Sequence, residues 1–411
     1  MHKRPYKIGA AVLAAALIIV SCGSDEPADT GGATAETAAP AETATPAETA
    51  TPTETAAPAE TTATADSSAV VAAAQTVIDT YKEIPSTSDL GDSIDVAALA
   101  GKTIISIPID SKLEFYQVGE RAMKAIAEAA GLNYETFPTD GSPVSFQQGF
   151  AQAIAQDAGV ILLNGPLPET LEPQIEEAIA AGIPVVPVHL SDQSEPVLAI
   201  TPWEAFAPFN LGARLSTLYS VTDLGGEPVK ALVLSASGTG PSDGMVKAIE
   251  DTLANEAPEG SEVIANLNIQ VPEWSTDIQP AVQSALLKDP EINVVLPIYD
   301  SMALFAIPGI EQAAADRNLG VYSFNGTPAV MGLIQDGVMR MDVSESPDWV
   351  AYVNLDTAFR AMLDVPPIPE ASGPVRIIDA SNVAETGNPP EAGKGFGEEF
   401  PSAYMQLWGL G

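Results

Sequence analysis

The stretch GVILLNGPLPETLEPQIEEAIAAGIPVVPV, residues 159–188, holds the pattern from which the fold of this chain follows. It begins with a short aliphatic run at 159–163, which is typical of a buried strand. Residues 169–181 then repeat apolar side chains at helical spacing, and Gly182 ends that helix. Residues 184–188 form a second short aliphatic strand. The pattern predicts a strand–helix–strand unit, from which parallel sheets are built.

The same alternation continues on both sides of this stretch, in two series. The predicted strands are 104–109, 133–137, 159–163 and 184–188, followed by 229–234, 262–267, 293–298 and 320–324. Amphipathic segments separate them, including predicted helices at 115–130 and 144–156. We therefore predict an α/β fold of two doubly wound parallel-sheet lobes, one for each series. In such sheets ligands bind beyond the carboxyl ends of the strands, so candidate binding residues are sought there.

The N-terminus is typical of an exported protein. Basic residues at positions 3, 4 and 7 precede an aliphatic run at 8–20 that is short for a membrane span, and we predict a signal peptide over 1–21. The only cysteine of the chain, Cys22, follows directly. Residues 19–22, Ile-Val-Ser-Cys, resemble the bacterial lipobox, and the resemblance implies that Cys22 carries a lipid and becomes the mature N-terminus. The alternative is an ordinary cleaved signal with an incidental cysteine.

A segment of low complexity follows the cysteine. Residues 25–66 contain no Lys, no Arg and no large apolar residue, and Glu recurs every six positions from Glu36 to Glu60. Such a segment cannot bury enough apolar surface to offset the loss of chain entropy. We predict a disordered tether over 22–66, then a leading helix and connector over 67–100.

Charge and residue counts exclude several classes of function. The chain has 411 residues, with 55 acidic and 17 basic side chains and a formal charge of −38. This charge repels phosphate backbones, so no nucleic-acid partner is predicted. One cysteine cannot form an internal disulfide, and two histidines cannot supply a His-rich metal centre. We predict no metal and no cofactor.

Four short segments, in chain order, resemble one family. Residues 112–116 (KLEFY), 181–186 (AGIPVV), 299–304 (YDSMAL) and 324–328 (FNGTP) are similar to motifs of the type I periplasmic-binding-protein family, in its ribose- and galactose-binding group. The resemblance implies two lobes joined by three crossovers, closing over a small polar ligand. It places 101–201 and 346–370 in an N-terminal lobe, and 202–345 and 371–411 in a C-terminal lobe. It also implies capture of a solute outside the cell and its delivery to ABC permease subunits.

The resemblance and the strand-end positions together select candidate ligand-binding residues. These are Phe115, Tyr116, His189, Trp274, Tyr299, Asp300, Asn325 and Glu345. In relatives the aromatic pair that corresponds to Phe115 and Tyr116 stacks on a sugar ring, whose C–H face is apolar. Several candidates have a structural alternative: helix capping for Asp300 and Asn325, and core or surface packing for Phe115, Tyr116 and Trp274. The alternative for His189 is a loop histidine whose hydrogen bonds are already satisfied.

Several positions depart from the family pattern. Asn325 stands where relatives have Asp, and His189 and Leu190 stand where relatives have an Asp-Arg pair. The turn at 238–244, which we expect to face the cleft, brings no Arg and is not a phosphate-binding loop. Because charge-assisted hydrogen bonds are the strong ones, the missing cations argue against a sugar phosphate or uronate. A neutral polyol, a nucleoside-like or aromatic-bearing molecule, or a cation fits better.

The sequence thus predicts a solute-binding lipoprotein on the extracellular face of the bacterial membrane, anchored through Cys22. It would capture a sugar or sugar-like molecule by hinge closure and serve an ABC importer. We predict that it is not an enzyme. One alternative is a receptor of the same fold that senses a signal or a nucleoside-like molecule. The other is a surface hydrolase, which would depend on His189.

Overall fold

Two mainly parallel sheets organise the chain in the structure, a computed structural model that describes residues 63–87, 90–191 and 199–411. The predicted signal peptide, Cys22 and most of the predicted tether lie outside the described residues. The first described element is α1 (Ala63–Lys82), which begins inside the predicted 22–66 tether. It packs against a helix and a strand of the C-terminal lobe.

The N-terminal lobe alternates strands and helices in chain order. They are β1 (Thr103–Pro108), α2 (Glu114–Ala129), β2 (Asn133–Thr136), α3 (Pro143–Ala155), β3 (Val160–Asn164), α4 (Glu172–Ala180) and β4 (Val185–Val188). The four strands are parallel, in the order β2-β1-β3-β4. Ile105 of β1 is in register with Ile161 of β3. The short strands β5 (Leu190–Ser191) and β6 (Phe206–Ala207) then pair where the chain leaves this lobe.

Alternate side chains of the N-terminal sheet enter two different cores. Ile105 is buried in one cluster with Phe150 of α3, whereas its neighbour Ile104 is buried in another with Met123 of α2. Both clusters are needed because a parallel sheet is covered by helices on both faces. This burial explains why its strands read as continuous aliphatic runs in the sequence.

The C-terminal lobe repeats the alternation around a larger sheet. Its elements are α5 (Phe209–Asp223), β7 (Lys230–Ser235), α6 (Ser242–Glu256), β8 (Glu262–Asn268), α7 (Trp274–Lys288), β9 (Val294–Pro297), α8 (Asp300–Ala314), β10 (Gly320–Asn325), α9 (Pro328–Gln335) and β11 (Met341–Glu345). The chain then forms α10 (Pro347–Leu363), which packs on α2 and β4 of the N-terminal lobe, and returns as β12 (Val375–Asp379). The six strands lie in the order β12-β11-β10-β9-β7-β8, with β12 antiparallel to β11. The predicted α/β fold class is confirmed.

The end of the chain differs from the predicted assignment of 371–411 to the C-terminal lobe. After β12 the chain ends in α11 (Phe400–Leu407), which packs on α10 in the core of the N-terminal lobe. Aromatic stacking holds it there, with the rings of Phe400 and Trp349 4.4 Å apart. In addition, Trp408 Nε1 donates a hydrogen bond to Asp356 Oδ1 at 2.8 Å. The tail therefore covers the face of the N-terminal lobe on which α10 lies.

Candidate functional site

A cavity lies between the two lobes. Its volume, counted as the space open to the centres of water molecules, is about 40 Å³. The N-terminal lobe and the crossover line it with Ile109, Leu113, Phe115, Tyr116, Gly165 and His189. The C-terminal lobe lines it with Phe209, Thr239, Pro241, Val271, Trp274, Tyr299, Ser301 and Asn325. A molecule in this cavity would touch both lobes at once.

The two lobes also touch each other beside the cavity. Glu114 Oε2, in α2, accepts a hydrogen bond from the backbone N–H of Ala329, in α9, at 3.2 Å. At Gly141 of the N-terminal lobe, an added Cβ would lie 3.1 Å from Cγ of Pro272 in the C-terminal lobe. These contacts close the lobes over the cavity.

The parallel sheets explain why these side chains meet. Ile109, Gly165 and His189 directly follow strands β1, β3 and β4, while Tyr299 follows β9 and Asn325 ends β10. The carboxyl ends of parallel strands share one edge of a sheet, so residues distant in sequence converge there. The cavity is the place where the two edges face each other.

Aromatic rings form the part of the wall nearest the crossover. The ring of Phe115 stacks on the His189 ring with centroids 4.7 Å apart, and the Phe209 ring meets the His189 ring edge-on with centroids 4.8 Å apart. Tyr116 contacts Phe115 edge-to-face at 5.4 Å. Phe115 and Tyr116 both line the cavity although they are adjacent on α2, because the first turn of that helix points into the cleft.

His189 is fixed by a buried partner. Its Nε2 lies 2.8 Å from Oε2 of Glu345, and the two side chains are 3% and 0% exposed. The other oxygen of Glu345, Oε1, has no hydrogen-bond partner among the described residues. Glu345 does not line the cavity, so it orients the histidine from behind. The two residues lie on different crossovers, one after β4 and one at the end of β11.

Gly165 makes room for the Tyr116 ring. A Cβ at Gly165 would lie 2.4 Å from Oη of Tyr116, and the glycine has a φ of +96°. No larger residue fits there without moving the tyrosine. Burial, and after it the proximity of Tyr299, raises the pKa of Tyr116 above its ordinary value. The Tyr116 hydroxyl therefore stays protonated and can donate a hydrogen bond to a ligand.

The C-terminal lobe supplies a pair of hydroxyls and an indole. Tyr299 Oη and Thr239 Oγ1 are 2.7 Å apart, and burial raises the pKa of Tyr299 above its ordinary value. The Trp274 ring lies 6.1 Å from the Tyr299 ring, and its Nε1 donates to the carbonyl of Ile269 at 2.9 Å. Since its N–H is already used, Trp274 offers the cavity an apolar surface.

Asn325 presents an amide to the cavity from a strained backbone. Its φ of +146° lies in a region that residues other than glycine rarely adopt. Its side chain makes no hydrogen bond to another described residue, although the residue is only 4% exposed. Strain of this kind persists where the surroundings impose it, frequently at binding sites. The amide is free to donate to a ligand and to accept from it.

Asp300 lies behind this wall and has a structural partner. Its Oδ2 accepts a hydrogen bond from the backbone N–H of Thr327 at 2.7 Å, which ties the start of α8 to the start of α9. Burial, followed by the charge of Asp342, raises the pKa of Asp300 well above its ordinary value. Asp300 does not line the cavity.

A third buried carboxylate, that of Glu120, supports the N-terminal wall. Glu120 of α2 accepts hydrogen bonds from Ser106 Oγ at 2.7 Å, Tyr134 Oη at 2.9 Å, Thr136 Oγ1 at 2.7 Å and Asn164 Nδ2 at 3.1 Å. Burial raises its pKa, and these hydrogen bonds oppose the increase. The network joins α2 to strands β1, β2 and β3, and so holds Tyr116 and Gly165 in place.

The structure brings most of the predicted residues together. Phe115, Tyr116, His189, Trp274, Tyr299 and Asn325 line the cavity, whereas Asp300 and Glu345 lie behind it. Sequence reasoning did not select six of the lining residues, Ile109, Leu113, Gly165, Phe209, Val271 and Ser301. It placed the turn that contains Thr239 and Pro241 at the cleft but did not select these two as candidate binding residues. The position of Leu113 shortly after the predicted first strand was a usable signal, whereas Ile109 was placed inside that strand and the structure ends β1 at Pro108. No sequence signal indicated that Phe209 lines the cavity, because its position depends on the path of the crossover between the lobes.

The described residues contain neither a metal-binding cluster nor a membrane-spanning helix. In residues 63–87, 90–191 and 199–411, no group of three or more His, Cys, Asp or Glu side chains could hold a metal ion. No helix in this part of the chain is both long and apolar enough to span a membrane.

Known proteins with similar sequences bind solutes. The ribose import binding protein of Escherichia coli K12 is 21% identical over 283 residues, which cover 66% of this chain and 89% of that protein. The D-ribose/D-allose-binding protein of Pseudomonas aeruginosa is 22% identical over 232 residues, covering 55% of this chain and 64% of that protein.

A similar solved structure extends the comparison to the fold. The 5-methylthioribose transporter solute-binding protein from Thermotoga lettingae superposes with a TM-score of 0.63 and is 18% identical. The match covers 76% of this chain and 99% of that one. The family model described as periplasmic binding protein domain matches residues 104–363, more than half of the chain. The chain therefore belongs to the periplasmic binding protein domain family.

Proposed function

We propose that this protein captures a sugar or sugar-like small molecule between its two lobes and delivers it to an ABC importer. The observation that carries the proposal is the cavity, lined from both lobes by aromatic rings and by neutral hydrogen-bonding groups. Aromatic faces suit the apolar C–H face of a sugar ring, and hydroxyl and amide groups suit its hydroxyls. A ligand that touches both lobes would favour the closed arrangement through its additional contacts there.

The relatives support this assignment in their own names. They are a ribose import binding protein, a D-ribose/D-allose-binding protein and a 5-methylthioribose transporter solute-binding protein. The proposed ligand-binding residues are Phe115, Tyr116, His189, Trp274, Tyr299 and Asn325, with Asp300 and Glu345 positioning them from behind. Delivery to a permease would use the surface that only closed lobes present.

We further propose that Cys22 anchors the protein to the outer face of the cell membrane through a lipid. The lipobox-like residues 19–22 and the tether after them support this placement. Mass spectrometry of the membrane fraction would test it. A diacylglyceryl group on an N-terminal Cys22 is the expected result, and a mature N-terminus elsewhere would contradict it.

A sensor and a hydrolase are the alternatives. A sensor of the same fold would bind the same ligand, and a permease and ATPase encoded beside this chain would argue for the importer. In a hydrolase His189 would activate a nucleophile through Nδ1, because its Nε2 is bonded to Glu345. Among the described residues, no serine or threonine hydroxyl is hydrogen-bonded to the His189 ring, so the nucleophile that a hydrolase needs is not paired with it. Product formation that disappears in His189→Ala would favour the hydrolase.

Thermal unfolding in the presence of candidate ligands tests the proposal. The chain is first unfolded and refolded under dialysis to remove any ligand from the expression host. It is then heated with pentoses, hexoses, polyols, nucleosides and amino acids. A ligand at 100 times its dissociation constant adds about 2.7 kcal/mol to the free energy of unfolding, and so raises the midpoint by several degrees. A shift with one class of neutral sugar is expected. Shifts confined to amino acids would contradict the sugar assignment.

A further inference from the structure

In the described part of the wall, the N-terminal lobe and the crossover offer the cavity few polar side-chain atoms. Ile109, Leu113 and Phe115 present hydrocarbon, and Gly165 presents no side chain. Tyr116 carries the one hydroxyl among the side chains that this lobe places in the described wall. His189 closes this side; its Nε2 is already bonded to Glu345, so the ring offers one further nitrogen, Nδ1. A ligand atom facing this wall meets aliphatic and aromatic carbon over most of the surface.

The C-terminal lobe differs in having several neutral polar groups. Thr239 and Tyr299 form a hydroxyl pair at 2.7 Å, and Ser301 and the amide of Asn325 also line the cavity. These groups can donate and accept hydrogen bonds without carrying charge. The polar end of a ligand is therefore held by this lobe.

Among the residues that the structure describes, no Asp, Glu, Lys or Arg side chain lines the cavity. Three arginines instead bind carboxylates outside the wall: Arg214 with Glu256, Arg360 with Asp356, and Arg376 with Glu385. A phosphate or carboxylate in the cavity would lose its hydration without gaining a cation, which is costly in a buried site. The wall thus excludes anionic ligands.

An unsubstituted sugar fits this wall incompletely. Its hydroxyls are distributed around the whole ring, so those that face Ile109 and Leu113 would lose water and find no partner. Leaving such a group unpaired weakens binding by roughly tenfold or more. An apolar group at the same place would instead gain from burial.

We propose that the ligand is a neutral sugar derivative with an apolar substituent, such as an alkyl or alkylthio group, directed at Ile109 and Leu113. This inference rests on the proposed function and sharpens it. Leu113 is then a specificity-determining residue, and the ring hydroxyls remain with the C-terminal lobe.

Calorimetric titration of the full-length chain with matched sugars tests this inference. The pairs are D-ribose with 5-methylthio-D-ribose, and D-galactose with its 6-deoxy derivative D-fucose; D-ribose 5-phosphate is the anionic control. We expect the apolar member of at least one pair to bind tenfold or more tightly than its parent, and the phosphate not to bind. Parent sugars that bind as tightly as both derivatives, or tight binding of the phosphate, would overturn the inference and leave the proposed function intact. Failure of every neutral sugar to bind would overturn both.

A variant of Leu113 tests whether this residue causes the preference for a sugar with an apolar substituent. Leu113 stands at the N-cap of α2 with an extended backbone, a position that asparagine favours, so Leu113→Asn should fold. We expect this variant to lose fivefold or more of its affinity for the apolar derivative, with little change for the parent sugar. Leu287→Asn is the matched control, since Leu287 is 64% exposed and does not line the cavity. Equal losses for both sugars in Leu113→Asn would contradict the assigned role.

Discussion

The two lobes have the same architecture but contribute different chemistry to the cavity. In the N-terminal lobe the polar network around Glu120 lies inside the lobe, where Ser106 and Thr136 donate hydrogen bonds to it. The side chains that this lobe presents to the cavity are mostly hydrocarbon. In the C-terminal lobe Asp300 also lies behind the wall, where it accepts a hydrogen bond from Thr327, whereas neutral hydroxyls and an amide line the cavity. Buried carboxylates thus hold the residues of both walls in place, whereas selectivity for the ligand depends on the neutral groups that each wall presents to the cavity.

The largest expected effect concerns the histidine at the crossover, where the two walls meet. His189→Ala leaves Glu345 buried without a partner, so we expect the free energy of unfolding to fall by about 3 kcal/mol. Chemical denaturation measures it. The double variant His189→Phe with Glu345→Leu replaces the pair by apolar side chains and should recover most of the loss. A loss below about 1 kcal/mol in the single variant would show that the pair does not hold the crossovers together.

The next effect tests the aromatic part of the C-terminal wall. Trp274→Ala removes a large buried apolar surface and should weaken ligand binding by about 2 kcal/mol or more, roughly thirtyfold. Titration calorimetry with the ligand found by thermal unfolding measures the change. Trp274→Phe keeps an aromatic face and should retain most of the affinity. Similar losses in both variants would mean that the hydrogen bond to Ile269, rather than the ring, matters.

A change in the polar part of the same wall should weaken ligand binding by a smaller amount, without lowering the stability of the fold. Asn325→Gly removes the free amide and should weaken binding about tenfold, or about 1.4 kcal/mol. Because glycine tolerates a φ of +146°, stability should stay the same or rise. Calorimetric titration measures the affinity for the ligand, and thermal unfolding of the same sample measures the stability of the fold. Unchanged affinity would remove Asn325 from the site.

The smallest effect concerns pH and the carboxylates behind the C-terminal wall. Burial raises the pKa of Asp342 from 3.8 to about 6, although Ser323 and Ser344 donate hydrogen bonds to it. A group whose pKa is higher in the folded state stabilises the fold once it is protonated. Its contribution therefore grows as pH falls from 7 to 5, by about 1 kcal/mol, and is lost as pH rises through 6.

Thermal unfolding of the wild type and of Asp342→Asn at several pH values measures this contribution. The variant should show a weaker gain in stability toward pH 5. Asp316→Asn, at an exposed position, is the control and should follow the wild type. The same pH profile in all three proteins would show that Asp342 does not titrate in this range.

Much of the fold was predictable because local pattern and tertiary burial agree. The strand predicted at 184–188 is observed as Val185–Val188, since a buried parallel strand is aliphatic throughout and a glycine precedes it. The position of α11 was not predictable in this way. Its aromatic residues have helical spacing, but nothing local shows which lobe they cover.

The site was predictable in part for the same reason. Tyr299 and Asn325 follow or end strands, and that position alone places them at the sheet edge. The roles of Asp300 and Glu345 could not be deduced, because each depends on a partner brought in by the fold, Thr327 and His189. Position in the strand predicts proximity to the cleft, whereas hydrogen bonding decides which side chains remain free for a ligand.

The central claim is that a ligand closes the two lobes over the cavity. The distance between spin labels at Val144→Cys in α3 and Leu287→Cys in α7 tests it most directly, in a Cys22→Ser background that removes the only native cysteine. Both positions are exposed, at 60% and 64%. We expect the ligand identified by thermal unfolding to shift the distance between the labels to a single, shorter and narrower distribution. An unchanged distribution at saturating ligand would contradict it.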